Sequence, residues 1–224
     1  MNQLNINPIK ETTDVLNHRS VESNTPDVLA DIYQDDVNIA IWKRSLSPSL
    51  LEAVERVLNT KHQFRFSASV TPKDTFESLY NALGANDDAQ RISEDIAELV
   101  DMFCCLFELE RVGLRLTELD SAMCPRFHVD RVPCRLVTTY SETATEWLAQ
   151  QDVDRSKLGL GNKGKSDEES GIYQDSQHIN KLSCGEVALL KGESWLGNEG
   201  GGLVHRSPSL NNNKKRLLLT MDFN

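Results

Sequence analysis

A chain of 224 residues with 39% hydrophobic residues can bury one sizeable core, or one core and a small appended unit. A formal net charge of -10 argues against a nucleic-acid surface, which needs a positive face, and no apolar run is long enough to span a bilayer. The polar start lacks a signal-peptide pattern, so the chain reads as cytoplasmic, with neither membrane nor nucleic acid expected as a partner.

Residues 1–28, rich in Asn, Thr, Ser and Glu, read as a flexible arm, and 29–224 as a single domain. Val37 to Trp42 alternates apolar and polar residues as a strand does. Ser47 and Pro48 then open a helix over 49–59. Phe64 to Val70 alternates again. Thr71 and Pro72 start a second helix, whose apolar positions Phe76, Leu79, Tyr80 and Leu83 keep helical spacing until Gly84 ends it. A longer helix begins at Asp87 or Asp88 and carries Ile92, Ile96, Leu99, Val100, Phe103 and Phe107 on one face. Its outer face, with Glu94, Asp95, Glu98 and Asp101, reads as a solvated surface.

Beyond residue 110 the texture changes to short strands and turns. Val112, Leu114 and Leu116 alternate with polar residues, and Cys134 to Tyr140 is rich in β-branched residues. Residues 150–178 form a polar, glycine-punctuated insertion, a length expected for a covering loop or a disordered one. Cys184 to Gly192 is a buried strand between two glycines, Gly197 to Gly202 a turn, and Arg216 to Phe223 a final strand. These signals predict an α+β fold, with a jelly-roll core over 111–224 and the helices of 29–110 packed on one sheet.

The candidate site centres on Cys124-Pro125-Arg126-Phe127-His128-Val129-Asp130-Arg131. On an extended strand His128 and Asp130 face the same side and can reach one metal ion. His205 lies downstream, between a glycine-bounded strand and the last strand. Two histidines and one carboxylate with open positions left over suit non-haem Fe(II). Arg216, eleven positions after His205, is placed to fix a dicarboxylate beside the metal. Arg126, Arg135 and Arg206 crowd the same motif as alternative clamps. Cys124 and Cys134 share the parity of His128 and Asp130, and a thiolate in the site would favour Zn(II) over iron. The five cysteines, none in a CxxC pair, otherwise read as small buried residues. His18, His62 and His178 read as solvent residues, and Trp195 as a packing residue.

The pattern His128-x-Asp130, a long gap, His205, then Arg216 with Thr220 on one strand resembles the 2-oxoglutarate- and Fe(II)-dependent oxygenases, whose double-stranded β-helix is cupin-like. Gly185 to Leu190 resembles the strand before the distal histidine there. The segments Cys124 to Asp130, Arg135 to Tyr140 and Leu203 to Pro208 resemble more closely a bacterial family catalogued as a domain of unknown function, family 1826. The first resemblance implies His128, Asp130 and His205 as metal ligands. It also implies Arg216 as the clamp on the distal carboxylate of 2-oxoglutarate, with Thr220 or Tyr140 bonding the same ligand. Where that superfamily usually has a serine two residues after the arginine, this chain has Leu218. The second resemblance implies a link to zinc homeostasis.

Four readings follow, the last of them a purely structural interaction domain. The first is an Fe(II)- and 2-oxoglutarate-dependent dioxygenase acting on a small-molecule or protein substrate that the residues do not identify. The second is a non-enzymatic zinc-binding protein on the same scaffold. The third is a zinc hydrolase with Glu146, Glu186 or Glu199 as general base.

Overall fold

The computed structural model describes residues 17–60, 63–141, 144–210 and 214–224. The chain runs through β1 (Arg19–Ser23), a 3-10 helix (Pro26–Tyr33), β2 (Val37–Trp42), α1 (Pro48–Thr60), β3 (Arg65–Val70), α2 (Thr75–Leu83) and α3 (Asp87–Phe107). It continues through β4 (Val112–Leu119), β5 (Cys134–Thr139), β6 (Glu146–Leu148), α4 (Asp167–Ser170), β7 (Ile179–Lys181), β8 (Val187–Lys191), β9 (Val204–Arg206) and β10 (Arg216–Phe223).

Local chemistry accounts for the helix ends. Ser47 caps α1: its side-chain oxygen accepts from the Leu50 N–H, and Pro48 takes the first position, where no donor is needed. At the end of α2, Gly84 has φ 107°, a left-handed value that a Cβ would resist. The Asn86 side chain accepts from the Ala89 N–H to start α3, and Asp87 and Asp88 meet the positive end of the helix dipole.

Seven strands form a large sheet in the order β1-β2-β8-β5-β10-β4-β3, so strands from both halves of the chain share it. One face of this sheet carries the helices. Leu217, Leu219 and Met221 of β10 join Ile92, Ile96, Leu99 and Phe103 of α3 in the main core. The other face meets a small sheet, β7-β6-β9, across a second core that includes Leu218, Val137, Leu190 and Trp147. Central strands buried on both faces lose the alternation of a half-exposed strand, which is why β8 and β10 read as nearly continuous apolar runs.

The two facing sheets bear out the mixed helix and sheet class and resemble the double-stranded β-helix, but no closed barrel forms among the described residues. Two further expectations need correction. Residues 1–16 of the segment read as an arm lie outside the described residues, as does His62, whereas Arg19–Ser23 of that segment pairs in parallel with β2. The arm was inferred from polarity, and an edge strand needs little apolar content once its backbone is paired. The insertion at 150–178 holds four short 3-10 turns and α4 in place of an open loop. Its Leu158, Ile172 and Tyr173 pack against Phe127, Leu148 and Val204, so it backs the outer face of the small sheet.

Candidate metal centre

After β4 the chain bends through Met123, Cys124 and Arg126 and meets β9 in a single bridge at His128, at the edge of the small sheet. The His128 N–H donates to the His205 carbonyl and the His205 N–H to the His128 carbonyl, both at 3.0 Å. Directly opposed residues in an antiparallel pair point to one face. The two imidazoles therefore stand side by side, ring centroids 4.5 Å apart, on the face turned toward the large sheet. Asp130, two residues on, points the same way. Its Oδ1 lies 3.7 Å from His128 Nε2 and its Oδ2 3.3 Å from His205 Nε2. One ligand atom from each of the three residues lies within 4.8 Å of the others.

The ring orientations matter as much as the spacing. His128 Nδ1 lies 2.9 Å from the Arg126 carbonyl oxygen, and His205 Nδ1 lies 3.1 Å from the Leu203 carbonyl oxygen. A carbonyl only accepts, so each Nδ1 carries a proton and donates it. Each Nε2 then presents a lone pair toward the Asp130 carboxylate. Three electron-rich atoms converge with no ring proton between them, an arrangement that calls for a cation, either an added proton or a metal.

Charged neighbours fix the carboxylate. Arg135 donates from Nη1 to Asp130 Oδ2 at 2.7 Å, and from Nε and Nη2 to the two oxygens of Asp222 at 2.7 and 2.9 Å. Burial alone would raise the Asp130 carboxyl, but once the rings take up the added proton, His205 donating to it, with Arg135 and His128, outweighs burial and holds the carboxyl at about 2. The His128 imidazole is pushed down, first by burial and then by the charge of its neighbour His205. Backbone packing adds to the constraint. A Cβ on Gly192 would meet the Val132 carbonyl oxygen at 2.1 Å and the Asp130 carbonyl oxygen at 2.9 Å, so only glycine fits beneath the ligand strand.

Beside the ligands lies a cavity of about 60 Å³ whose walls include His128, His205, Cys124, Val137, Leu218 and Thr220. Arg216 lies on the same face of β10 as Leu218 and Thr220. Its guanidinium is only 1% exposed. Nη2 donates to the Ser207 hydroxyl at 2.9 Å, while Nε and Nη1 are buried without a partner among the described residues. The hydroxyls of Thr139 and Ser141 are likewise buried and unpartnered. Leu218 pairs with Thr139, and that register carried two residues further sets Ser141 opposite Arg216. With no carboxylate beside it, burial pulls the Arg216 guanidinium down to about 10. A buried cation with two idle donors and two idle hydroxyls nearby is arranged for an anion.

The other arginines are already engaged. Arg135 is consumed by Asp130 and Asp222. Arg206 lies on the outer face, bonded to Glu146 and Asp167. Arg126 is exposed and donates to the Lys165 carbonyl. Thr220 lines the cavity. Tyr140 does not: strand parity sends it to the helix side, where its hydroxyl donates to Asp95 at 2.6 Å. Cys134 also faces the helices, fully buried, which pushes its thiol up and removes it as a ligand. His18 is buried, not solvent-exposed, and His178 sits 3.4 Å from Asp152. None of the three glutamates considered as a base lines the cavity. Glu146 pairs with Arg206 and Lys181, Glu186 accepts from the Ser183 N–H, and Glu199 is exposed.

Three contributors escaped the sequence reading. Asp222 shares the parity of Arg216 and Thr220 on β10, and Ser207 stands two residues beyond His205, so period-two counting carried a signal for both. Asp167 lies in the polar insertion, where nothing local marks it.

The profile of a family described as "Protein of unknown function (DUF1826)" matches residues 23–222. No curated protein matches the chain. Among solved structures, the chain is similar to AtDAO1, a dioxygenase for auxin oxidation from Arabidopsis thaliana solved with 2-oxoglutarate, at 9% identity and a TM-score of 0.51, covering 92% of each chain. It is also similar to JOX2, solved with 2OG, Fe and JA, at 11% identity and a TM-score of 0.50, covering 93% of this chain and 75% of that one. At these identities the likeness is one of fold.

Proposed function

We propose that this chain, which belongs to the DUF1826 family, is a non-haem oxygenase that holds Fe(II) through His128, Asp130 and His205 and takes 2-oxoglutarate as co-substrate. The observation that carries this reading is the pairing of two features in one interior. Three lone-pair donors converge on one point, and an unpaired guanidinium is buried a short way along β10.

The donor set fits the metal. Two imidazoles and one carboxylate on a single face leave the opposite positions open, which a structural zinc site does not. Arg216 fits a carboxylate, and Ser207, Thr139 and Ser141 supply hydroxyls around it. Bound together, the metal and the 2-oxoacid would supply the oxidation of a C–H bond, coupled to decarboxylation of the 2-oxoacid. The chain's own part is geometric. Arg135 keeps the Asp130 carboxylate turned toward the imidazoles, and the two carbonyl-bound Nδ1–H groups keep both Nε2 lone pairs inward. Apolar walls at Val137, Leu190 and Leu218 exclude water.

A non-catalytic zinc site built from the same ligands is the second reading, favoured by Cys124 on the cavity wall. The idle Arg216 favours the oxygenase. Anaerobic purification with metal analysis, then an assay of succinate release from 2-oxoglutarate, separates the two. Iron with succinate supports the first reading; tightly held zinc with no succinate overturns it.

A further inference from the structure

The outer face of the ligand-bearing strand pair has its own organisation. Because His128 opposes His205, their neighbours Phe127 and Arg206 are also opposed, and both point away from the cavity. The Arg206 guanidinium lies 4.3 Å from the centre of the Phe127 ring. Above them sits Asp167, the first residue of α4 in the 150–178 insertion. It is 6% exposed, and its Oδ2 accepts two bonds, from the Phe127 backbone N–H and from Arg206 Nη1, each at 2.9 Å.

The Phe127 N–H points away from β9, toward the free edge of the small sheet. A buried edge N–H needs an acceptor, and no further strand supplies one there among the described residues. One carboxylate oxygen therefore ties together the residue before His128 and the residue after His205. The insertion reinforces the tie. Arg126 donates to the Lys165 carbonyl, and Tyr173 meets Phe127 edge-on at 5.9 Å.

We propose that Asp167 is a positioning residue for the metal centre, holding the two histidine-bearing strands in register from behind through the Phe127 N–H and Arg206. The inference rests on the metal-site reading given above. Asp167 touches no ligand atom; it acts by fixing the backbone from which both imidazoles project. An outer partner bonded directly to a ligand is worth about 10–100-fold in metal affinity, and Asp167 is expected to reach that range because it holds the backbone beside both histidines at once.

The test titrates metal-depleted full-length protein with Co(II) against a competing chelator, reading the visible absorption of the bound ion. D167A is expected to bind about 10–100-fold more weakly with an altered spectrum. D167N, whose amide oxygen still accepts from the Phe127 N–H but which loses the Arg206 ion pair, is expected to recover only part of the loss. L99A, a helix-side core variant, should lower the melting temperature and leave Co(II) affinity unchanged. Affinity of D167A equal to that of wild type, or lowered no more than in L99A, overturns the proposal. Should D167A fail to fold, R206M decides. It removes the Asp167 ion pair yet keeps an apolar stem over Phe127, and unchanged affinity there is equally fatal. Wild-type protein that binds no Co(II) overturns the metal reading itself, an outcome distinct from wild-type binding that D167A leaves intact.

Discussion

Arg135 and Asp222 form a two-pronged ion pair across β5 and β10, with Nε to Oδ1 at 2.7 Å and Nη2 to Oδ2 at 2.9 Å. The remaining amino group of Arg135 reaches Asp130 at 2.7 Å. The guanidinium fork is thus anchored by one carboxylate while it aims the other, and a lysine offers no such planar geometry. Removing the anchor should loosen Asp130, the proposed metal ligand, through Arg135. Asp222→Ala is expected to weaken metal binding about 10-fold or more, and Arg135→Lys to do the same with little change in circular dichroism. Equilibrium dialysis with metal analysis reads both, and unchanged affinity in the two variants would reject the assigned role of the pair.

Arg216 predicts opposite effects on stability and on ligand binding. A buried cation with two unused donors destabilises the fold, so Arg216→Met should raise unfolding stability by about 1–3 kcal/mol. Denaturant midpoints measure this. The same variant should lose 2-oxoglutarate binding, seen by calorimetry on the metal-loaded protein, while metal affinity stays at the wild-type level. Retained 2-oxoglutarate binding would remove Arg216 from the site.

Gly192 has room for no side chain above the Val132 and Asp130 carbonyls. Gly192→Ala should therefore cost about 1–3 kcal/mol and shift the Asp130 backbone. Chemical denaturation and metal titration would both register the change, and a variant as stable as wild type would show that the strand yields there.

Glu118 governs part of the acid limb of stability. Burial would raise this carboxyl, but Lys215, 2.7 Å away, and the Phe64 N–H outweigh it and hold it below its usual value. A carboxyl depressed in the folded state contributes stability that is complete above its unfolded pKa, about 4.3, and disappears as pH falls through the lower folded value. Glu118→Gln should flatten the stability profile in that acid window. A profile parallel to wild type below pH 5 would contradict the assignment.

Local periodicity settled much of this molecule before any contact was known. The helix faces of α2 and α3 follow from 3.6-residue spacing, and Ser47 and Gly84 mark helix ends through chemistry confined to a few residues, whereas the Asn86 cap of α3 emerged only from the structure. His128 and Asp130 share a face because a strand has a period of two, a property of the backbone alone. Tertiary structure decided the rest. His205 joins the pair only because β9 hydrogen-bonds to the strand carrying His128, a contact 77 positions away that no local pattern encodes. The choice among four arginines rested on which of them found carboxylates in space, leaving Arg216 alone unpaired in the interior. Tyr140 and Cys134 were lost from the site by strand parity. Asp167 gained its place because a buried edge N–H, created by the fold, needed an acceptor.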